Sequence, residues 1–323
     1  MKRIAIVAGG YSAEAEISLK SAETVFNNLD RSLFDPYIVT ISKIAWAVKT
    51  LSATFPIEKG DFSFVKDGHK ITFDAAFIAI HGEPGEDGRI QGYFDLLNIP
   101  YSTSGVMVSS LTFNKAVTNQ LLSHNGFNVA EAKYVFRGDD IQVNEILNAV
   151  KLPCFVKPNE AGSSYGITKV TSKEQLVPAI ENAFKHNEMC IIESFLDGTE
   201  VTCGVHNIMG EIQALPVTEI VSENEFFDYE AKYEGKSQEI TPARISDDLT
   251  LHIQATSTQI FKQLRLDCVA RVDYIICDNE PYIIEVNTVP GLSKASIIPQ
   301  MVTAAGIHHK DFFTAWVKKS FDS

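Results

Sequence analysis

The chain opens with a short apolar run that ends at a pair of glycines. Residues Ile4 to Ala8 are all apolar and Gly9-Gly10 follow, which predicts a buried strand and a tight turn. Beyond the turn, apolar residues recur at the spacing of one helix face: Ala22, Val25, Phe26 and Leu29. The order strand, glycine turn and helix is typical of a parallel α/β unit.

A second unit of the same kind follows further along the chain. It consists of an apolar strand from Phe77 to Ile80, a glycine-rich loop from His81 to Gly88, and a helix that carries Ile90, Tyr93, Phe94 and Leu97. Ligand-binding loops lie at the carboxyl ends of parallel strands, so both glycine turns are expected to face one crevice.

The middle of the chain predicts a compact α+β module. A turn from Ile99 to Gly105 leads into a single helical stretch from about Met107 to His124, with Asn125-Gly126 as its end signal. The following predicted elements are strand Ala132 to Phe136, helix Ile141 to Val150, strand Cys154 to Lys157, strand Ile167 to Val170, helix Lys173 to His186 and strand Met189 to Glu193.

The last third predicts hairpins. Val201 to His206 should pair with Glu211 to Thr218, and a polar segment from Ser222 to Glu239 is expected to act as a lid. The final hairpin joins Ala270 to Ile276 with Pro281 to Val286. Its even-numbered residues are apolar (Val272, Tyr274, Tyr282, Ile284, Val286) and its odd-numbered residues are polar (Arg271, Asp273, Glu285, Asn287), so one face should be core.

Asp273 and Glu285 are expected to share the polar face of that hairpin. With regular pairing, this requires a loop with an odd number of residues around Asp278 and Asn279. A loop with an even number of residues would place the two carboxylates on opposite faces unless a bulge corrected the register.

Composition narrows the possible partners. The chain has 323 residues, with 28 Lys and Arg against 41 Asp and Glu, for a net charge of −13, which argues against a nucleic-acid or anionic-membrane surface. The five cysteines form no C-x-x-C pair, so neither a disulfide framework nor a zinc site is indicated. The apolar runs are short, and acidic residues follow the first one, so no signal segment is predicted and a cytoplasmic location is expected.

The polar face of the last hairpin carries candidate chemistry. Asp273, Glu285 and Asn287 offer hard oxygen ligands next to Arg271, the ligand class that suits Mg²⁺ bridging nucleotide phosphates. A solvated sheet face is the other interpretation, and this pattern alone does not choose between them.

Several other residues have two interpretations. Lys157 ends a strand before a Gly/Ser loop that runs to Gly166 and could wrap phosphate oxygens, although it is neither a Walker motif nor G-x-G-x-x-G. A plain hairpin loop is the alternative. Lys115 could equally be a surface lysine, and Glu14 could only complement a helix dipole.

Taken in order, these segments resemble one known family. They are Gly9 to Glu14, His81-Gly82 with Gly85 to Gly88, Lys157 to Gly166, Phe227 to Tyr233, Arg271 to Asp273 and Glu285 to Gly291. Over nearly its whole length the sequence resembles the D-alanine–D-alanine ligases. That resemblance implies an ATP-grasp fold of the α/β class, built of α+β modules. Its implied parts are an N-terminal Rossmann-like substrate domain (1–104), a central subdomain (105–193) and a C-terminal subdomain with metal site and lid (194–323).

The resemblance also implies a nucleotide site. The phosphate-contacting residues would be Lys115, Lys157 and Lys232, with Ser163 and Ser164 on the loop that closes over the phosphates. Glu193, Phe195 and Leu196 would line the adenine pocket, and Glu200 would bind the ribose. Asp273, Glu285 and Asn287 correspond to the ligands of Mg²⁺, with two ions expected and Mn²⁺ as a possible substitute.

The implied reaction joins two D-alanines through an acyl phosphate made from ATP. Glu14 would hold the amino group of the first D-alanine, and Gly291 with Ser296 the carboxylate of the second. Arg271 would stabilise developing charge. His81 is a candidate base by its chemistry, but the family pattern makes it a substrate-binding residue.

Tyr233 is expected to select the second substrate. Its neutral phenol would hydrogen-bond toward Glu14 and Ser163 and close the lid. The resemblance implies a homodimer. The alternatives are a ligase that makes D-alanyl-D-lactate or D-alanyl-D-serine, and a non-catalytic ATP-binding protein of the same fold.

Overall fold

The computed structural model describes residues 1–50, 53–160, 166–222 and 237–322. In these residues, the N-terminal part contains a five-stranded sheet made of β1 (Lys2–Gly9), β2 (Phe34–Ile41), β3 (Trp46–Lys49), β4 (Thr54–Pro56) and β7 (Ala75–Ile78), and β5 (Phe64–Lys66) pairs separately with β6 (His69–Ile71). The order of the strands in the five-stranded sheet is β4-β3-β2-β1-β7. Strand β1 is parallel to both β2 and β7, as the two predicted α/β units require.

Helices α1 (Ala15–Asn28) and α2 (Arg89–Leu97) follow the two glycine turns. The predicted apolar face of α1 is confirmed, because Ala22 and Val25 are fully buried and Leu29 nearly so. Strand β1 is apolar and buried from Ile4 to Ala8 because both faces of the sheet are covered.

The predicted helical stretch from Met107 to His124 is two helices, α3 (Val106–Phe113) and α4 (Lys115–His124). Asn114 lies between them with an extended backbone, and its side-chain oxygen accepts a hydrogen bond from the Val117 amide. The single-helix prediction was therefore wrong, because an asparagine N-cap interrupts an otherwise helical pattern. The break places Lys115 at the first position of α4.

The central module contains a four-stranded antiparallel sheet made of β8 (Ala132–Phe136), β9 (Cys154–Pro158), β10 (Thr168–Val170) and β11 (Met189–Ser194). The order of its strands is β10-β9-β11-β8. Helices α5 (Val143–Val150) and α6 (Leu176–Ala183) cover one face and form a core with it. These elements confirm the predicted α+β module, with α6 shorter than expected because a 3₁₀ turn (Lys173–Gln175) precedes it.

The C-terminal part is a six-stranded sheet. Its strands are β12 (Thr199–His206), β13 (Gln213–Ala214), β14 (Thr218–Ser222), β15 (Ser237–Ile240), β16 (Val269–Cys277) and β17 (Glu280–Asn287). Helix α7 (Asp247–Gln263) packs on one face, and α8 (Ile297–Ala304) and α9 (His309–Lys319) share a core with the N-terminal sheet. Within the described ranges, no helix is long and apolar enough to cross a membrane.

The hairpin of β16 and β17 places Asp273 opposite Glu285 and Arg271 opposite Asn287. The shared face is confirmed, but the loop prediction was wrong. The turn has two residues, Asp278 and Asn279, both with positive φ. A bulge between Asp273 and Tyr274 restores the register.

Because of the bulge, the predicted alternation of buried and exposed residues does not hold along the whole of β17. Between the bulge and the turn the faces are exchanged, so Pro281 and Ile283 are buried while Tyr282 and Ile284 are only partly buried. The even-numbered apolar pattern in the sequence therefore does not describe one continuous core face.

Candidate active site

A cleft of about 270 Å³ lies where the loops after β1, β7 and β17 meet. Its walls include six residues predicted from the sequence: Glu14, His81, Arg271, Glu285, Asn287 and Ser296. The backbone of Gly291 also lines it. The structure thus brings the predicted substrate-binding residues and most of the polar hairpin face to one place.

The two glycine turns contact each other at this cleft, as expected. The Tyr11 amide donates to the Glu83 carbonyl at 2.8 Å, and the Ser12 hydroxyl donates to the His81 carbonyl at 3.0 Å. Gly10 has φ +107°, and a Cβ there would lie 2.7 Å from the Ile80 side chain, so only glycine fits. This close approach places the buried Glu14 carboxylate next to Gly82.

Asp273 is the centre of the polar hairpin face. Its carboxylate accepts two bonds from the Arg271 guanidinium, at 2.7 and 2.8 Å, one from the Asn287 amide at 2.9 Å and one from the Thr202 hydroxyl at 2.6 Å. The two-point contact fixes the plane of the guanidinium. Arg271 is therefore held at the cleft in one orientation.

Two lysines from separate elements, α4 and β9, each pair with a glutamate carboxylate. Lys115 is 3.1 Å from Glu285, and Lys157 is 2.6 Å from Glu193. Burial lowers the pKa of Lys157, but the Glu193, Glu285 and Glu200 carboxylates together outweigh burial and hold that pKa above its usual value. The lysine therefore stays charged. Both ammonium groups can exchange these carboxylates for phosphate oxygens. Because phosphate oxygens are also negatively charged, the charge around each lysine then changes little.

The oxygen donors of the hairpin face fit a magnesium ion. Asp273 and Glu285 supply carboxylates and Asn287 an amide oxygen, all from one sheet face. In the part of the chain that the structure describes, no group of three His, Cys, Asp or Glu is arranged to hold a metal by itself. Mg²⁺ suits such an incomplete set, because it commonly takes its remaining ligands from water and substrate phosphates.

Two of the residues predicted for the adenine pocket, Glu193 and Phe195, lie near Lys157. Glu193 pairs with Lys157, and Phe195 lies with its ring 6.0 Å from that of Phe155. The Lys169 ammonium lies 5.0 Å from the Phe195 ring centroid. Leu196 is half-buried, and Glu200 lies on β12 opposite Ile275. The structure thus brings Lys157, Glu193 and Phe195 near one another, and Lys115 contacts Glu285 on the hairpin face.

Four predicted site residues lie outside the described residues: Ser163, Ser164, Lys232 and Tyr233. The same holds for most of the predicted lid segment, 222–239. Their roles remain predictions.

Gly291 and Ser296 lie side by side in the lining of the cleft. A Cβ on Gly291 would lie 2.9 Å from the Ser296 hydroxyl, so a larger residue at position 291 would force the Ser296 side chain to move. Ser296 is the N-cap of α8, and its side chain makes no capping bond but contacts the Ser293 hydroxyl at 2.8 Å. The amide end of a helix and a hydroxyl together suit a carboxylate.

His81 is buried, with both ring nitrogens engaged. Nδ1 contacts the Val289 carbonyl at 2.9 Å and Nε2 contacts the Ser21 hydroxyl at 3.0 Å. Burial lowers the pKa of His81, with a smaller opposing effect of Glu14. A neutral imidazole with a hydrogen-bond contact at each ring nitrogen suits a positioning role better than the role of a base.

Glu86 is a cleft residue that sequence reasoning did not select. It accepts bonds from the Gly82 amide at 2.8 Å and the Val289 amide at 3.4 Å. Burial raises the pKa of Glu86 to about 8, and the Glu14 and Glu285 carboxylates act in the same direction. The available signal was an acidic residue between Gly85 and Gly88, inside the second glycine loop.

Replacing Glu86 with glutamine is expected to stabilise the ligand-free protein increasingly as pH rises. The pKa of Glu86 in the folded chain, about 8, lies above the usual 4.5, so the folded state holds an extra proton between these values. Its contribution to stability is therefore lost as pH rises through that window. The difference in Tm between Glu86→Gln and the original protein should be larger at pH near 8.5 than near 5.

The exposed Glu83 in the same loop provides the control. Glu83→Gln removes a carboxylate of the same loop that pairs with Arg89, and its Tm shift at the two pH values is the reference for that of Glu86→Gln. An equal Tm difference for Glu86→Gln at both pH values would contradict the raised pKa.

Comparison with known proteins identifies the family. Residues 3–104 match the family model for the D-ala D-ala ligase N-terminus, and residues 121–318 match that for the C-terminus. The D-alanine–D-alanine ligase of Flavobacterium johnsoniae is 52% identical over 321 residues, covering 99% of both chains. That of Parabacteroides distasonis is 48% identical, covering 97% of this chain and 96% of the relative.

Solved structures agree. The D-Ala:D-Ser ligase VanG from Enterococcus faecalis has a TM-score of 0.88 and 32% identity, covering 99% of each chain. The D-alanine–D-alanine ligase from Bacillus anthracis complexed with ATP has a TM-score of 0.81 and 28% identity, covering 100% of this chain and 98% of that one. The chain therefore belongs to the D-alanine–D-alanine ligase family and has its ATP-grasp fold.

Proposed function

We propose that the chain is an ATP-dependent ligase that joins two D-alanines into D-alanyl-D-alanine for peptidoglycan precursor synthesis. One observation carries this proposal. A single cleft combines the Arg271, Glu285 and Asn287 side chains with a buried carboxylate at one wall, Glu14, and a helix amide end at another. The first group suits phosphoryl chemistry, and the other two suit an ammonium and a carboxylate.

The proposed reaction has two steps. The carboxylate of the first D-alanine attacks the γ-phosphorus of ATP, and ADP leaves with the electron pair of the broken bond. The amine of the second D-alanine, after losing a proton, attacks the acyl carbon and phosphate leaves. No protein nucleophile is required, so catalysis rests on alignment and on stabilisation of negative charge.

Each wall of the cleft has a role in these steps. Glu14 binds the ammonium of the first D-alanine. Gly291 and Ser296 bind the carboxylate of the second, which points its amine toward the acyl carbon. Arg271, held in one plane by Asp273, stabilises charge on the transferred phosphoryl group and the tetrahedral intermediate.

The nucleotide and the metal complete the proposal. Lys115 and Lys157 contact phosphates, while Glu193, Phe195, Leu196 and Glu200 bind adenine and ribose. Asp273, Glu285 and Asn287 would hold Mg²⁺, which neutralises phosphate charge when bound. We place the reaction in the cytoplasm and expect a homodimer, on the family resemblance.

The direct test is a product assay. The purified protein, supplied with ATP, Mg²⁺ and D-alanine, should release ADP and form D-alanyl-D-alanine as its main product, identified by mass spectrometry. Added D-serine or D-lactate should compete poorly. A dominant mixed product would support the alternative ligases. ATP binding without ADP release would support the non-catalytic alternative, against which the presence of Arg271 and all three oxygen ligands argues.

A further inference from the structure

The segment of residues 288–292 connects β17 to the turn before α8 and carries Gly291. It has no regular secondary structure, yet it forms the cleft wall at which the second carboxylate is expected. Its position must therefore be fixed by contacts from elsewhere in the molecule.

Three side chains of the N-terminal part make those contacts: Ser21, His81 and Glu86. We call them the anchor residues. His81 Nδ1 bonds to the Val289 carbonyl at 2.9 Å, and Glu86 accepts from the Val289 amide at 3.4 Å. The Leu292 amide donates to the Ser21 hydroxyl oxygen at 3.1 Å. All three bonds go to the backbone of the segment, so they fix its path independently of its side chains.

The geometry determines how Ser21 and His81 act together. A carbonyl oxygen can only accept, so His81 Nδ1 must carry the proton that is donated to Val289. In the neutral ring Nε2 then accepts, and the donor is the Ser21 hydroxyl, 3.0 Å away. Ser21 therefore donates to His81 while accepting from Leu292, which orients the imidazole and holds the segment at once.

The contacts are well shielded from water. Ser21 is fully buried and His81 nearly so. The Val289 and Leu292 side chains, also buried, enter separate apolar cores on the two faces of the N-terminal sheet. A hydrogen bond lost here leaves a buried polar group unpaired, and such a loss is more costly than one at the surface.

We propose that Ser21, acting through His81 and with Glu86 as a second anchor, is a positioning residue for the second-substrate site. It fixes the 288–292 segment so that the Gly291 backbone and Ser296 meet the carboxylate of the second D-alanine. The inference rests on the proposed function, because it names what that wall binds. Neither Ser21 nor Glu86 touches the reacting atoms in this account.

The test compares Ser21→Ala with Ser18→Ala. Ser18 lies one turn earlier on α1, is equally buried, and also accepts one backbone amide, from Gly9 at 2.8 Å, and donates to one carbonyl, that of Ala79 at 2.7 Å. Its bonds stay within the N-terminal part. The two variants therefore lose the same number of hydrogen bonds, but only Ser21→Ala removes a direct contact to the segment and the hydroxyl that orients His81.

The measurement is steady-state kinetics that separates the KM values of the first and second D-alanine. Ser21→Ala should raise the KM of the second D-alanine roughly 5- to 10-fold, the effect of about one buried hydrogen bond. The KM of the first D-alanine, the KM of ATP and kcat should change less than about twofold. Ser18→Ala should lower Tm comparably and leave the KM values in place. Ser21→Thr, which keeps the hydroxyl, should restore most of the lost affinity.

Equal changes in all KM values, or the same pattern in Ser18→Ala, would overturn the proposal. If Ser21→Ala does not fold, Ser21→Cys replaces it, since a thiol forms only weak hydrogen bonds. The substrate assignment is checked separately on the original protein. If that protein condenses D-alanine with D-serine, the same comparison is made with the KM of D-serine. If it forms no ligation product at all, both proposals fail.

Discussion

Replacing Arg271 with methionine is expected to lower kcat by about a hundredfold or more, as for loss of one donor that stabilises transition-state charge. The guanidinium lines the cleft and is fixed in plane by two bonds to Asp273. Methionine keeps an unbranched apolar stem but removes the guanidinium with its charge and hydrogen-bond donors. Because the role belongs to the transition state, kcat should fall far more than ATP affinity. The measurement is the rate of ADP release at saturating D-alanine, with nucleotide binding measured by calorimetry.

A control with the same kind of contact lies on the segment between β15 and α7. Arg244 makes a similar two-point pair with Glu219, at 2.7 and 2.9 Å, outside the cleft lining. Arg244→Met should lower Tm and leave kcat nearly unchanged. Arg271→Lys restores the positive charge but not the two-point contact of the guanidinium, so it should recover part of the rate. A near-normal kcat in Arg271→Met, with Tm unaltered, would remove Arg271 from the mechanism.

Local sequence pattern predicted the parts of the fold that depend on near neighbours. The strand from Ile4, the glycine turn after it and the face of α1 follow from periodicity and turn chemistry alone. The hairpin of β16 and β17 shows the limit of prediction from local pattern. Alternation placed Asp273 and Glu285 on one face, but the compensation of a two-residue turn by a bulge was not visible in a pattern that assumes regular pairing.

The candidate site likewise contains residues that the sequence could predict and contacts that it could not. Side chains on strands, such as Arg271 and Asp273, could be predicted because register fixes their direction. The contacts of the anchor residues could not, because the partners of these side chains lie about 200 residues or more away and are backbone groups without a sequence signature. His81 was predicted as a substrate-binding residue from the family pattern, and the structure adds its contact with the Val289 carbonyl. Ser21 lies on the buried face of α1, where the sequence pattern indicates only packing against the sheet.

Replacing Glu285 with glutamine is expected to lower kcat/KM for ATP about a hundredfold at limiting Mg²⁺, since a charged ligand is worth several kcal/mol of charge stabilisation. Glu285 shares its sheet face with Asp273 and lies 3.1 Å from Lys115. Glutamine keeps one oxygen and the shape of the side chain but removes the negative charge. The variant should therefore need more Mg²⁺ than the original protein, and higher Mg²⁺ should restore part of the rate.

The measurement is the initial rate of ADP formation as a function of free Mg²⁺ at fixed ATP, repeated with Mn²⁺. Glu280→Gln is the control, because Glu280 begins the same strand, is exposed and lies beside the turn, away from the cleft. Its Mg²⁺ dependence should match that of the original protein. A loss in Glu285→Gln that stays constant at all Mg²⁺ concentrations would assign Glu285 to holding Lys115 instead. In that case Lys115→Met should lower the rate to the same extent and the double variant should lose no more, whereas a metal ligand and a phosphate contact should have largely additive effects.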